Sequence, residues 1–350
     1  MANVLELAAR HDAAGRHEDA VNALARASGQ GDLAATTALG KRLIIGDRAP
    51  YMPKDGAKLL SDAARAGNVD ASLRLACMTA LGAHVPQSWE GALGLLVHAA
   101  TLGSKSARGQ LCVLAGRDAA PDADEDWADL ARSIDIAAWL APVPGETLHE
   151  GPLVRYFPTF LNDAACVWIR DHMRRFLKPA QIYSGDKLRH VQDEMRTNSV
   201  GAMHLACIDV VNVVVQYRIS AVCGMPVDNF DGPTALHYDI GEEIKDHCDY
   251  IHPKIPNYEQ ELATHGERLI TFLLYLNGDF EGGDTAFPLM GFNHKGIGGD
   301  GIFFVNVKQD GTPDGRSLHA GRPPTSGEKW LLSQFVRARP VYNTPAETLY

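Results

Sequence analysis

The sequence predicts an α+β chain of two domains: an N-terminal array of α-helical repeats, then an antiparallel β-barrel or jelly roll with supporting helices. Three observations carry this. A 36-residue self-similarity runs through the first third of the chain. An acidic, proline-containing stretch follows it. Beyond that stretch, helical periodicity gives way to short β-type runs joined by glycine-rich turns. At 350 residues and 45% apolar, the chain has material for two cores.

The repeat is read from columns. Gly31, Gly67 and Gly103 lie 36 residues apart. Four positions after each comes alanine (Ala35, Ala71, Ala107), and four further on comes leucine (Leu39, Leu75, Leu111). Leu24, Leu60 and Leu96 form a fourth column, and Ala27, Ala63 and Ala99 a fifth. Within a unit, Ala35, Leu39 and Leu43 recur at helical spacing, and Pro50 with Pro53, or Pro86 in the next unit, marks a loop. Each unit is therefore two short antiparallel helices, over residues 1–117. The pattern resembles the SEL-type repeats, relatives of the tetratricopeptide repeats. Such units bury their apolar faces only by stacking, which leaves a concave surface. A groove for a peptide or protein partner and a rigid or dimerising block are both open readings.

Residues 118–150 read as a linker. Asp118–Asp126 (DAAPDADED) is acidic, a short helix is expected over Trp127–Leu140, and Pro142, Pro144 and Gly145 break it. The second domain is placed at 151–340, with a C-terminal tail at 341–350. A helix begins near Asn162 or Asp163, with Ala165, Ile169 and Met173 on one face, and another is expected over Cys207–Cys223, ended by Gly224. Strands are expected at Thr234–Ile240, Leu269–Leu276, Ile302–Val307 and Trp330–Val336. The polar segment Gly185–Ala202 reads as a lid over the site.

The formal net charge is −10 and no run of Lys and Arg stands out, so nucleic acid is not expected as a partner. No apolar run reaches the roughly 18–20 residues that cross a bilayer, and the first residues lack the pattern of a signal peptide. The six cysteines form no C-x-x-C pair. Buried thiols in a reducing cytoplasm are the expectation. There is no phosphate-binding glycine loop and no G-x-S-x-G elbow.

The chemistry centres on His247-Cys248-Asp249, with His319 as a distant partner. In an extended segment, residues i and i+2 point to one side. An imidazole and a carboxylate can thus share one ion, and a histidine from a later strand completes a facial triad with open positions. His237 and Asp239 form a rival pair. Lys329 lies ten residues after His319, just before an expected strand, and a buried cation there suits the far carboxylate of a dicarboxylic cosubstrate.

The runs YDIGEEIKDHCDY, RLITFLLYLNGDFEGGDTAFP and SLHAGRPPTSGEKW occur in this order. Together they resemble the conserved blocks of the prolyl 4-hydroxylase-type dioxygenases, over about residues 151–339. The resemblance implies a double-stranded β-helix (jelly roll), Fe(II), 2-oxoglutarate and O2, with ascorbate as a further reductant. It implies that His247, Asp249 and His319 bind iron and that Lys329 holds the 5-carboxylate of 2-oxoglutarate. Tyr238, Thr271 and Tyr275 fall at cosubstrate positions, and Arg196 falls where members carry an arginine that faces substrate. The chain departs from the family pattern at Ile244, where plant and algal members often carry tyrosine, and at Phe335, where they carry tryptophan; both positions lie near the substrate.

The expected activity is hydroxylation of a prolyl or related residue in a peptide or protein. The alternatives are a hydroxylase of a free amino or imino acid or small natural product, with structural or dimerising repeats, and a non-catalytic interaction protein. A peptide-reading groove would be lined with tyrosines, and the repeats are poor in aromatics, with Tyr51 and Trp89 nearly alone.

Overall fold

A computed structural model describes residues 3–120, 125–184, 189–191, 193–255 and 257–341. The tail expected at 341–350 lies outside the described residues from 342 onward, as do 185–188 and 192 of the expected lid. The chain divides into two compact units. One runs to Trp139 and takes in His204–Val215; the other holds Leu140–Met203 and continues from Gln216. The segment His204–Val215, expected inside the domain at 151–340, is thus grouped with the helical unit.

The helical unit opens with α1 (Val4–Ala13), α2 (His17–Gly29), α3 (Leu33–Ile45), α4 (Pro53–Arg65), α5 (Val69–Leu81), α6 (Trp89–Thr101) and α7 (Lys105–Leu114). The starts of α2, α4 and α6, and of α3, α5 and α7, step by the same 36 residues as the sequence columns. Two devices repeat the turn. Gly31, Gly67 and Gly103 take φ of +89°, +87° and +91°, a region that favours glycine. The next residue then caps the following helix: the side chains of Asp32, Asn68 and Ser104 accept from the N–H groups of Ala35, Ala71 and Ala107. The column leucines Leu24, Leu60 and Leu96 are buried in the seam. Small residues let backbones approach: a Cβ on Gly56 of α4 would lie 2.8 Å from the carbonyl oxygen of Gly40 in α3.

Where one helix was expected after the acidic stretch, there are two, α8 (Trp127–Arg132) and α9 (Ile136–Leu140). Ser133 closes the first turn onto Asp129 and Leu130, and Asp135 starts the second by accepting from Ala138 N–H. The segment His204–Val215 is held by buried polar groups of α5 and α7. Arg74 Nη1 donates to the carbonyls of Leu205 and Ile208, and Gln110 Oε1 accepts from Val210 N–H.

The second unit is mainly β. Its elements begin with β1 (Glu146–Glu150), β2 (Leu153–Phe157), α10 (Asp163–Arg174), β3 (Lys178–Pro179), β4 (Ile182–Ser184), β5 (Arg189–Val191) and β6 (Ser199–Ala202). Next come α11 (Val210–Cys223), which belongs to this unit from Gln216 onward, β7 (Thr234–Tyr238), β8 (Ile244–His247), α12 (Tyr258–His265), β9 (Arg268–Tyr275), β10 (Glu281–Gly282), β11 (Thr285–Phe287) and β12 (Phe292–His294). The series ends with β13 (Gly301–Val305), β14 (His319–Gly321), β15 (Pro324–Ser326) and β16 (Lys329–Arg337). An eight-stranded sheet has the order β1-β2-β13-β9-β16-β7-β6-β3, and a four-stranded sheet the order β12-β11-β14-β8.

These are the two sheets of a jelly roll, and one core lies between them. Leu236, Tyr238, Leu273, Tyr275, Ile302, Phe304 and Leu331 come from the large sheet; Ile244 and Phe287 come from the small one. Asn162 caps α10 by accepting from Ala165 N–H, and Gly224 follows α11 at φ +70°. The four long expected strands appear as β7, β9, β13 and β16, shifted by one to two residues at their ends. The small sheet, with strands of three or four residues, is too short to show alternation in sequence.

Candidate active site

The small sheet builds the site. Strand β8 ends at His247, β14 starts at His319, and the two residues are register partners in an antiparallel pair. Direct opposition brings side chains close, and the two imidazole centroids lie 4.3 Å apart. Asp249, two residues past His247, turns to the same side. His247 Nε2 is 3.4 Å from Asp249 Oδ1, and His319 Nε2 is 3.4 Å from Asp249 Oδ2. One donor atom from each of the three residues lies within 4.8 Å of the others.

Each imidazole is oriented from behind. His247 Nδ1 lies 2.8 Å from the Lys245 carbonyl and His319 Nδ1 lies 3.0 Å from that of Ser317. A carbonyl only accepts, so Nδ1 carries a proton and Nε2 is the ring atom directed at the shared point. Burial alone would raise the Asp249 carboxyl, but the neighbouring His319 and His247 outweigh it and hold it well below the usual range. Thr271 Oγ donates to Asp249 Oδ2 at 2.7 Å. Two imidazoles and one carboxylate, with one open side, are a donor set that fits a first-row divalent metal such as Fe(II).

The open side faces a cavity of about 510 Å³. Its walls include Arg196, Leu236, Tyr238, Arg268, Thr285 and Phe335. Lys329 lies behind this lining, fully buried, its Nζ 4.9 Å from the Tyr238 ring centroid and 5.8 Å from that of Tyr275. That Nζ has no hydrogen-bond partner. Burial depresses its pKa to about 7, with only the Asp284 carboxylate opposing the shift. A buried amine left without a partner is costly, and a carboxylate delivered from the cavity would satisfy it. The Tyr275 hydroxyl lies 2.8 Å from Oγ of Thr285, which lines the cavity.

All residues named from the sequence are thus accounted for. His247, Asp249 and His319 come together. Tyr238, Lys329 and Tyr275 form one buried group. Thr271 sits beneath Asp249 and bonds to it. Arg196 lines the cavity, its Nε donating to Asn198. Phe335 lines the cavity with the Arg268 guanidinium 4.0 Å above its ring. The rival His237 points to the other face of β7, as alternation requires. It bonds Glu328 at 2.9 Å and packs tilted against Trp330, with ring centroids 4.5 Å apart. Glu328 is also paired with Arg174, which makes this group an ion-pair network.

Sequence reasoning missed Arg268, Thr285, Asn277 and Asn306. Arg268 was visible as the charged residue opening an apolar strand. The bonds by which the two asparagines support the site, from Asn277 to Glu328 and Trp330 and from Asn306 to Thr271, span 35 residues or more and leave no local signal.

Residues 233–337 match the family model described as 2OG-Fe(II) oxygenase superfamily. Prolyl 4-hydroxylase 13 of Arabidopsis thaliana is 27% identical over 227 residues, covering 60% of this chain and 80% of that protein. A viral collagen prolyl hydroxylase from Paramecium bursaria Chlorella virus-1, solved with 2-oxoglutarate, is 23% identical with a TM-score of 0.41, over 53% of this chain and 96% of its own. A Sel1 repeat protein from Oxalobacter formigenes is 17% identical with a TM-score of 0.31, over 39% of this chain and 60% of its own.

Proposed function

We propose, from the premise that residues 233–337 belong to the 2-oxoglutarate–Fe(II) oxygenase superfamily, that the protein hydroxylates a prolyl or related residue in a peptide or protein. The observation that carries this is the pairing of two features in one jelly roll. Three donors converge at His247, Asp249 and His319, and an unpartnered amine, Lys329, lies buried behind the same cavity.

In this reading His247, Asp249 and His319 hold Fe(II), and Lys329, with Thr285 and the Tyr238 and Tyr275 hydroxyls nearby, receives the far carboxylate of 2-oxoglutarate. Iron, 2-oxoglutarate and O2 together supply the oxidation of a C–H bond to C–OH, with 2-oxoglutarate leaving as succinate and CO2. The chain does the rest. The Lys245 and Ser317 carbonyls lock both imidazoles, Thr271 fixes one carboxylate oxygen, and the apolar walls at Leu236, Leu273, Leu331 and Phe335 exclude water. Arg196 and Arg268 face the remaining space and are placed to meet substrate carbonyl or carboxylate groups. No general base is needed.

Among the described residues no helix is long and apolar enough to cross a membrane. The six cysteines are free, which suits a reducing compartment.

The test is succinate formation with Fe(II), 2-oxoglutarate and O2, measured with proline-containing peptides and, separately, with free proline and other cyclic amino acids. Succinate stimulated by a peptide and abolished in His247→Ala supports the proposal. Stimulation by the free amino acids alone would replace it with the small-molecule reading, and no succinate with any of them would remove it.

A further inference from the structure

We infer that Asn306, which touches neither cavity nor donor atom, is the positioning residue for Asp249, acting through Thr271. This rests on the reading that His247, Asp249 and His319 hold the metal. Asn306 follows β13 directly and is fully buried. Its Nδ2 lies 2.9 Å from Thr271 Oγ, which lies 2.7 Å from Asp249 Oδ2.

The direction of both bonds is forced. An ionised carboxylate only accepts, so the Thr271 hydroxyl donates its single proton to Asp249. The contact from Asn306 must then come from its amide N–H and not from its oxygen. The chain runs Asn306 N–H to Thr271 O–H to Asp249. It fixes Oδ2, which faces His319, and with it the orientation of Oδ1, which faces His247.

The second observation is a cost. Asn306 Oδ1 is buried and has no partner, and such atoms are rare in folded proteins. An apolar residue of similar size would fill the space without that penalty. Its presence is explained if the donor is needed. The Asn306 main chain is clamped as well. Its N–H donates to the Leu269 carbonyl at 2.8 Å, and its carbonyl accepts from Asp314 N–H at 2.9 Å. Asp314 O in turn accepts from both N–H and Oγ of Ser317, whose own carbonyl orients His319. The side chain of Asn306 therefore acts on Asp249 from a backbone tied to the support of His319.

The experiment titrates anaerobic protein with Co(II) and follows its visible absorption, which needs no turnover. Asn306→Leu and Thr271→Val are each expected to weaken Co(II) binding by about 10–100-fold, the range for groups that orient metal ligands. Thr271→Ser, which keeps the hydroxyl, should stay near wild type, and the Asn306→Leu/Thr271→Val double variant should lose no more than the weaker single. Thermal unfolding of each metal-free variant shows that it is folded. If Asn306→Leu does not fold, Asn306→Asp replaces it and is expected to lose affinity too, because the added carboxylate competes for the Thr271 proton. Co(II) affinity within twofold of wild type in folded Asn306→Leu or Thr271→Val overturns the inference. Failure of the underlying reading looks different: wild type would bind no Co(II), or Asp249→Ala would bind it undiminished.

Discussion

Lys329 is a residue whose chemistry departs far from its ordinary behaviour. Its amine is buried with no hydrogen-bond partner, and burial brings its pKa to about 7. Above that pH the empty site holds a neutral amine, whereas a bound dicarboxylate stabilises the ammonium. Binding of 2-oxoglutarate at pH 8 should therefore take up close to one proton, and at pH 6 almost none. Its affinity should weaken as pH rises through about 7. Calorimetry in two buffers of different ionisation enthalpy reads this directly, and a binding enthalpy independent of buffer at pH 8 would be incompatible with it. Lys329→Met should raise the KM for 2-oxoglutarate by about 10–100-fold, the worth of one charge-assisted hydrogen bond at 1.5–3 kcal/mol, with kcat changed far less. The position was legible because a charged residue stood at the start of an otherwise apolar strand. The depressed pKa was not, since it depends on Tyr238 and Tyr275 closing over the amine from two other strands.

Elements hold Lys329 in place as much as its own rotamer does. Asn277, just past β9, clamps the first residues of β16: its Nδ2 donates to the Glu328 carbonyl at 2.7 Å and its Oδ1 accepts from Trp330 N–H at 2.8 Å. Those are the groups flanking Lys329. Asn277→Ala leaves two backbone groups without this partner, at about 1–3 kcal/mol each where they stay buried. It should lower stability in urea and raise the KM for 2-oxoglutarate together; a loss of stability with KM unmoved would show that the clamp does not position the lysine. The helical elements allow a second check. Asn68 caps α5 in the column shared with Asp32 and Ser104, and Asn68→Ala should cost about 1 kcal/mol in chemical unfolding, with no effect on Co(II) affinity. The period of 36 was readable because leucine, alanine and glycine repeat at it. The cap column was hidden because three different residues, Asp, Asn and Ser, serve one role. The small sheet was hidden for another reason: β11, β12 and β14 have three residues each, too few for a period, and only the motif residues marked β8 and β14.

At the scale of the whole molecule, chain order and packing order differ. The sequence invites a cut near residue 117, after the last repeat column. The helical unit, however, also contains His204–Val215, more than 60 residues beyond Trp139 in sequence. Arg74 is 7% exposed and spends one guanidinium nitrogen on the carbonyls of Leu205 and Ile208. Cys77 Sγ also reaches Ile208 O, at 3.1 Å, and Gln110 holds Val210 N–H. No local pattern could announce bonds that span 100 to 134 residues. A repeat fragment ending at residue 117 would keep Arg74 and Gln110 and lose every one of these partners, leaving a guanidinium to be solvated where the fold had buried it. In the full chain, Arg74→Met removes the donor, leaving the Leu205 carbonyl without this partner and the Ile208 carbonyl with Cys77 Sγ alone. At about 1–3 kcal/mol for a buried group left unpaired, the expected loss is about 2 kcal/mol, well above the effect of an ordinary surface change. Hydrogen exchange locates it: amides of α5, α7 and residues 205–210 should exchange faster in Arg74→Met, while those of β9 and β16 keep their protection. Uniform loss across both sets would mean that the two units open as one, and unchanged exchange at 205–210 would mean that Arg74 does not hold the segment.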